Sequence, residues 1–196
     1  MTAATVQAPP IRVAVIIGST RQGRFGPTVA RWFTRRAAER DDVVLDVVDT
    51  AEAVMPHTFG TAADDAGFAA ATAKLAAADA FVVVTPEYNH SYPGTLKNLI
   101  DQHGAEWHAK PVAFVSYGGL SGGLRAVEHL RPVFAELHAV TIRDTVSLHQ
   151  PWSLFDDSGE LVDGQRAIAA AKTLLDQLTW WGAALRDARA ARPYGA

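Results

Sequence analysis

The sequence predicts an α/β protein with a single five-stranded parallel sheet and helices on both of its faces. Three observations carry that reading. Short apolar runs alternate with longer segments of helical periodicity along the chain. Several of the runs are apolar almost without interruption, the pattern of strands covered on both sides. Loops rich in glycine, proline and hydroxyls follow the first, third and fourth runs, at the strand ends where open parallel sheets bind their ligands.

The elements follow in order. Ile11–Ile17 is the first strand. Residues 27–40 read as a helix with Val29, Trp32 and Phe33 on one face, and Pro27 suits its first position, where a missing N–H costs nothing. Residues 43–48 are the second strand. The stretch 49–60 fits no element, and an alanine-rich helix then ends near Asp79. Residues 80–85 are the third strand. Pro93 opens a helix that aligns Leu96, Leu99, Ile100 and His103. Residues 111–116 are the fourth strand, and the next helix carries Val127, Leu130, Phe134 and Leu137, with a kink expected at Pro132. Residues 140–148 are the fifth strand, and a last long helix carries Ile168, Ala171, Leu175 and Leu178. Five strands in this repetition favour a flavodoxin-like three-layer sandwich, strand order 2-1-3-4-5, over a six-stranded dinucleotide fold.

Composition narrows the partners. The chain has 196 residues, 48% hydrophobic and 20% charged, enough for one domain with a sizeable core. A net charge of −3 disfavours nucleic acid, and no apolar run is long enough to span a bilayer. There is no cysteine, which removes disulfides, thiolate catalysis and cysteine-held metals. Residues 1–10 lack the features of a signal peptide and read as a disordered lead, 11–185 as the domain and 186–196 as a solvated tail. A cytoplasmic location is expected.

The loop after the first strand, Gly18-Ser19-Thr20-Arg21-Gln22-Gly23-Arg24-Phe25-Gly26-Pro27-Thr28, joins hydroxyls and two arginines to a helix start, a combination suited to a phosphate. Gly18 and Gly23 have Walker spacing, but Arg24 and Phe25 replace the lysine and the magnesium-holding hydroxyl. Thr20 occupies the second glycine position of the dinucleotide fingerprint, although Asp49 could otherwise suggest a ribose contact. A terminal monophosphate, as in FMN, matches better. The loop after the fourth strand has four glycines in residues 118–123, which let backbone amides approach a flat ligand, with Tyr117 beside it. No nucleophile–base pair or carboxylate dyad is present, so a cofactor is expected to carry the chemistry.

Three motifs resemble the NADPH-dependent FMN reductase family, which is flavodoxin-like and includes quinone, azo-dye and chromate reductases. They are Gly18-Ser19-Thr20-Arg21-x-Gly23-Arg24-x-Gly26, the run from Pro86-Glu87-Tyr88-Asn89-His90 through Pro93-Gly94-x-Leu96-Lys97-Asn98 to Asp101, and Tyr117-Gly118-Gly119. The resemblance implies non-covalent FMN, its phosphate held by Ser19, Arg21 and the turn through Thr28. It implies ring contacts from Pro86, Glu87, Tyr88, Asn89, Tyr117 and Gly118, mostly through main-chain atoms. Arg24, Gly26, Pro27, His90 and Gly119 complete the candidate cofactor-binding set. No catalytic side chain and no metal is assigned. The implied activity is transfer of hydride from NAD(P)H through FMN to a quinone, free flavin or similar acceptor, in ping-pong order. The implied assembly is a homodimer or homotetramer whose partner subunit covers part of the flavin. The alternatives are an FMN electron carrier, which the low net charge disfavours, and a scaffold without cofactor. The stretch 49–65 departs most from the family pattern.

The remaining features have plainer readings. His90 is assigned a loop hydrogen bond. Lys97 and Asp101 form an i,i+4 surface pair. Asp156-Asp157-Ser158-Gly159-Glu160 reads as a turn, since its glycine comes too early for a calcium loop. Trp180-Trp181 marks either an oligomer interface or core packing by one of the two, and the second is favoured.

Overall fold

Strand β1 (Ile11–Ile17) sends Val13, Val15 and Ile17 into one core and Ala14 and Ile16 into another, the two-residue period of a strand covered on both faces. The computed structural model describes residues 9–53, 55–56, 58 and 65–195. In chain order the other elements are α1 (Gly26–Ala37), β2 (Val43–Asp49), α2 (Ala66–Ala77), β3 (Ala80–Pro86), α3 (Gly94–Asp101), β4 (Pro111–Gly118), α4 (Leu124–Glu136), β5 (Val140–His149) and α5 (Gln165–Ala191). The five strands pair in parallel in the order β2-β1-β3-β4-β5. Helices α1 and α5 cover one face through Trp32, Phe33, Leu174 and Leu178. Helices α2, α3 and α4 cover the other through Leu75, Leu99, Leu130 and Phe134. This is the flavodoxin-like order expected from the alternation of elements. Among the described residues no helix is long and apolar enough to cross a membrane.

Several boundaries differ from the expectation, each for a tertiary reason. Helix α1 stops at Ala37, short of Arg40, because the chain must turn so that Asp42 can accept from the Ile11 amide and start β2. Strands β3 and β4 run on to Pro86 and Gly118, since Pro86 pairs with Tyr117 and the Glu87 amide donates to the Tyr117 carbonyl. His103 lies past the end of α3, buried, with Nδ1 2.8 Å from the Leu99 carbonyl. Helix α4 continues through Pro132. The tail starts later than Arg186, because α5 extends to Ala191 and Arg186 and Arg189 donate to the carbonyls of Pro9, Pro10 and Ala109. Trp180 is 64% exposed and Trp181 36%, so neither packs in the core. Lys97 and Asp101 pair at 2.5 Å, and the acidic stretch is a turn closed on the Asp156 carboxylate. The expected lead lies outside the described residues apart from Pro9 and Pro10, as does most of 54–64.

One buried cation has a measurable consequence. Lys110 precedes β4 and donates from Nζ to the Leu75 and Ala76 carbonyls at the end of α2, at 3.1 and 3.0 Å. Burial, aided by the charge of Arg189, pushes its ammonium down from 10.5 to about 8. As pH climbs between those values the folded chain releases this proton before the unfolded chain does, so this group's contribution to stability rises with pH. Urea midpoints of the wild type and Lys110→Met, taken at pH ~7 and pH ~10, should therefore shift in the wild type's favour at the higher pH. A constant difference would refute the coupling.

Candidate active site

The carboxyl ends of β1, β3, β4 and β5 open into one cleft of about 430 Å³, within the range of small-molecule sites. Residues 21–25 line it from the β1 side, Pro86, Glu87 and Tyr88 from β3, Tyr117, Gly118 and Gly119 from β4, and Trp152 from just beyond β5. A hollow of about 550 Å³ beside β5 collects none of these loops.

The residues of the loop after β1 separate into distinct roles. Arg21 is exposed and lines the cleft. Arg24 also lines the cleft, but its guanidinium is engaged: it forks onto Asp49 at 2.5 and 2.6 Å and donates to the Ser19 carbonyl at 2.6 Å. That fork ties the end of β1 to the end of β2 and occupies Asp49, which the ribose reading would have needed free. Ser19 is fully buried and its hydroxyl lies 2.7 Å from the Tyr88 hydroxyl. Pro27 lies in the first turn of α1, which has no side-chain cap; it has no N–H of its own and the Thr28 and Val29 amides donate to the Phe25 carbonyl, which leaves the Gly26 amide for an anion or solvent. Thr28 is outside the cleft lining and accepts from Arg31 at 3.3 Å.

Tyr117 shows what the cradle can hold. Its ring is buried, and among the described residues its hydroxyl has no hydrogen-bond partner. A Cβ on Gly26 would stand 2.9 Å from that hydroxyl, so glycine at the start of α1 is what lets the phenol pass beneath the loop. Burial pushes this phenol well above its ordinary value, with the neighbouring Tyr88 adding to the shift and Ser19 and Arg24 opposing it. An unpaired buried hydroxyl is costly, and this one lies beside a second hydroxyl pair and an uncapped helix start. Ser19 and the Tyr117 hydroxyl are closed off from solvent and brace the loop from beneath, so Arg21 and Tyr88 are the donors in the cleft lining that fit a phosphate ester.

The β3 loop is held by its side chains and presents its main chain. Tyr88 and Ser91 exchange both amide bonds, and Asn89 and His90 take φ of 49° and 75°, the conformation of a two-residue hairpin turn with both central residues left-handed. His90 is exposed, stands 6.1 Å from the His129 ring and does not line the cleft. Asn89 is likewise outside the lining. The Glu87 side chain, 6% exposed, points at the start of α4, where Arg125 Nε donates to it at 2.5 Å, its amide donates at 3.2 Å, and the Ser121 hydroxyl also bonds to it. Burial alone would push the Glu87 carboxyl up. The hydrogen bonds from Arg125 and Ser121 and the charge of Arg125 outweigh that and hold it below its ordinary value.

Sequence reasoning missed Trp152 and Arg125. No local pattern signals either one; each reaches the site only because its segment returns beside β4 or β3.

Comparison with known proteins agrees with this architecture. The profile of the NADPH-dependent FMN reductase family matches residues 11–153. A probable NADPH:quinone oxidoreductase 2 of Oryza sativa subsp. japonica is 35% identical over 164 residues, covering 78% of this chain and 80% of its own. A quinone reductase of Pseudomonas putida is 32% identical over 185 residues, covering 86% and 93%. Among solved structures, FerB, a flavoenzyme NAD(P)H:(acceptor) oxidoreductase from Paracoccus denitrificans, shares the fold with a TM-score of 0.71 at 22% identity, over 88% of this chain and 97% of that one. The chain therefore belongs to the NADPH-dependent FMN reductase family and is an oxidoreductase that works with FMN and NAD(P)H.

Proposed function

We propose that the protein accepts electrons from NAD(P)H and passes them through FMN to a quinone, free flavin or similar acceptor, with the two substrates using one cleft in turn. The observation that carries this reading is the state of the ionisable groups. Arg24 and Glu87 are both spent in ion pairs, and the cleft is walled by main chain, aromatic rings and the exposed Arg21. Apart from the Tyr88 and Tyr117 phenols the described lining offers no free acid or base, and FMN, when bound, supplies the two-electron chemistry. Within it, Arg21 and Tyr88 hold the phosphate, with Ser19 and Tyr117 bracing the loop from beneath, Gly26, Pro27 and Thr28 shaping the helix start and Arg24 keeping the loop in place. Pro86, Glu87, Gly118 and Gly119 frame the ring, mainly through their backbone, and Asn89 and His90 form the turn that carries the β3 part of that wall. The reading includes a homodimer or homotetramer whose partner covers part of the cofactor, and the exposed Trp180–Trp181 pair offers apolar surface for such contact. It also includes a cytoplasmic location, which the cysteine-free sequence suits.

The purified yellow protein should oxidise NADPH steadily with menadione. Flavin that stays bound without turnover would instead fit an electron carrier. Arg21→Ala should weaken FMN binding by about 1.5–3 kcal/mol, the size of a charged hydrogen bond. Unchanged affinity on titration with FMN would remove Arg21 from the cradle.

A further inference from the structure

Trp152 is 62% exposed, and the chain on both sides of it is tied down. It sits in the short 3-10 turn Pro151–Ser153 directly after β5. On the near side of the turn the Gln150 amide donates to the Gly118 carbonyl at 2.7 Å. Gln150 itself takes a left-handed φ of 46°, a strained conformation for a residue with a side chain. Inside the turn, the Ser153 and Leu154 amides donate back to the Gln150 and Pro151 carbonyls. On the far side, Phe155 packs edge-on against Phe25 at 5.4 Å and Trp32 at 6.4 Å. The segment is thus clamped to the end of β4 and to the α1 face of the core, and what it presents between the clamps is an indole at the mouth of the cleft.

The fold gains little from that indole, because most of its surface stays in water. Gly119 is the nearest strand-end residue. A Cβ placed there would meet only the Trp152 ring, at 4.0 Å, so the fold does not sterically require glycine at this position. An exposed aromatic ring and an exposed glycine together leave a flat slot at the outer mouth. The inner part of the same cleft is different in kind: Pro86, Tyr117 and Gly118 are buried and belong to the frame assigned to the resident cofactor. A molecule that enters and leaves meets the outer slot.

We propose that Trp152 is the acceptor-side wall of the cleft, stacking on planar conjugated acceptors of the naphthoquinone class and favouring them over compact inorganic oxidants. This rests on the function proposed above and adds to it the residue that selects among acceptors. Aromatic stacking supplies such selectivity without hydrogen bonds to any one substituent, so the slot accepts a range of flat rings.

The test uses the FMN-loaded wild type, Trp152→Phe and Trp152→Ala. Menadione binding to the oxidised protein is measured without NAD(P)H from the change in flavin absorbance, and FMN affinity is measured separately by titration. KM values for menadione and ferricyanide complete the set. Trp152→Ala should bind menadione about tenfold more weakly, with Trp152→Phe within about threefold of the wild type. FMN affinity and the ferricyanide KM should each change by a smaller factor than menadione binding does in Trp152→Ala. Menadione binding unchanged in Trp152→Ala would overturn the proposal. So would an FMN affinity that falls by the same factor as the menadione affinity, since the indole would then serve the cofactor. A wild type that takes up no FMN overturns the function reading and this proposal together. Where the wild type does turn over menadione, unchanged binding in Trp152→Ala counts against the role of Trp152 alone.

Discussion

Arg125→Ala should destabilise the protein by on the order of 2–3 kcal/mol and move its acid unfolding to higher pH. The reason lies in Glu87, whose side chain is 6% exposed and takes its main compensation from the Arg125 guanidinium. Removing the cation leaves a buried carboxylate with the Ser121 hydroxyl and the residue-125 amide as its remaining partners. The expected loss is below that of a fully buried pair because the Arg125 side chain is itself 39% exposed. In the wild type the Glu87 carboxyl titrates below its ordinary 4.5. Its stabilising contribution is thus complete above about 4.5 and is lost as pH falls through the lower folded value. The variant loses that depression, so its acid midpoint should rise. Circular dichroism during acid titration, with urea unfolding at neutral pH, checks both parts; coincident acid curves would show that Arg125 does not hold Glu87 in solution. FMN affinity should fall with stability, since Glu87 follows directly on Pro86 in the cleft wall.

Gly123→Val should be still more damaging, by on the order of 3–5 kcal/mol. Gly123 has φ +85°, and a Cβ there would stand 2.7 Å from Ser116 Cβ, 2.8 Å from the Tyr117 nitrogen and 3.0 Å from the Tyr117 oxygen. Two of those atoms are backbone of β4, paired on both sides within the sheet, and cannot give way. Gly119→Ala is the matching control, because its Cβ has only the 4.0 Å contact with Trp152 and should change stability by less than about 0.5 kcal/mol. Denaturant midpoints of the two variants measure the contrast, and equal losses would contradict this packing.

These two glycines show how far local reading reaches. From sequence, residues 118–123 form one glycine-rich loop suited to a flat ligand. In the fold Gly118 and Gly119 line the cleft, while Gly122 and Gly123 are left-handed, and side chains there would collide with Ser147 and with β4 respectively. Arginine behaves in the same way. Arg21 and Arg24 are equivalent in the sequence, but one faces the cleft and the other is consumed by Asp49, 25 residues further on.

What the sequence by itself determined is the set of elements, their parallel order and the three loops at the strand ends. Those properties follow from periodicity, which each segment carries locally, and from the strong chiral and topological preferences of βαβ units. Tertiary structure alone decided which side chains in those loops remain free. The Glu87–Arg125 pair spans 38 residues, and Trp152 reaches Gly119 only because the chain beyond β5 folds back against β4 and α1. Ion pairing and stacking depend on distance in space, and a charged or aromatic residue in a loop carries no local mark of the partner it will meet.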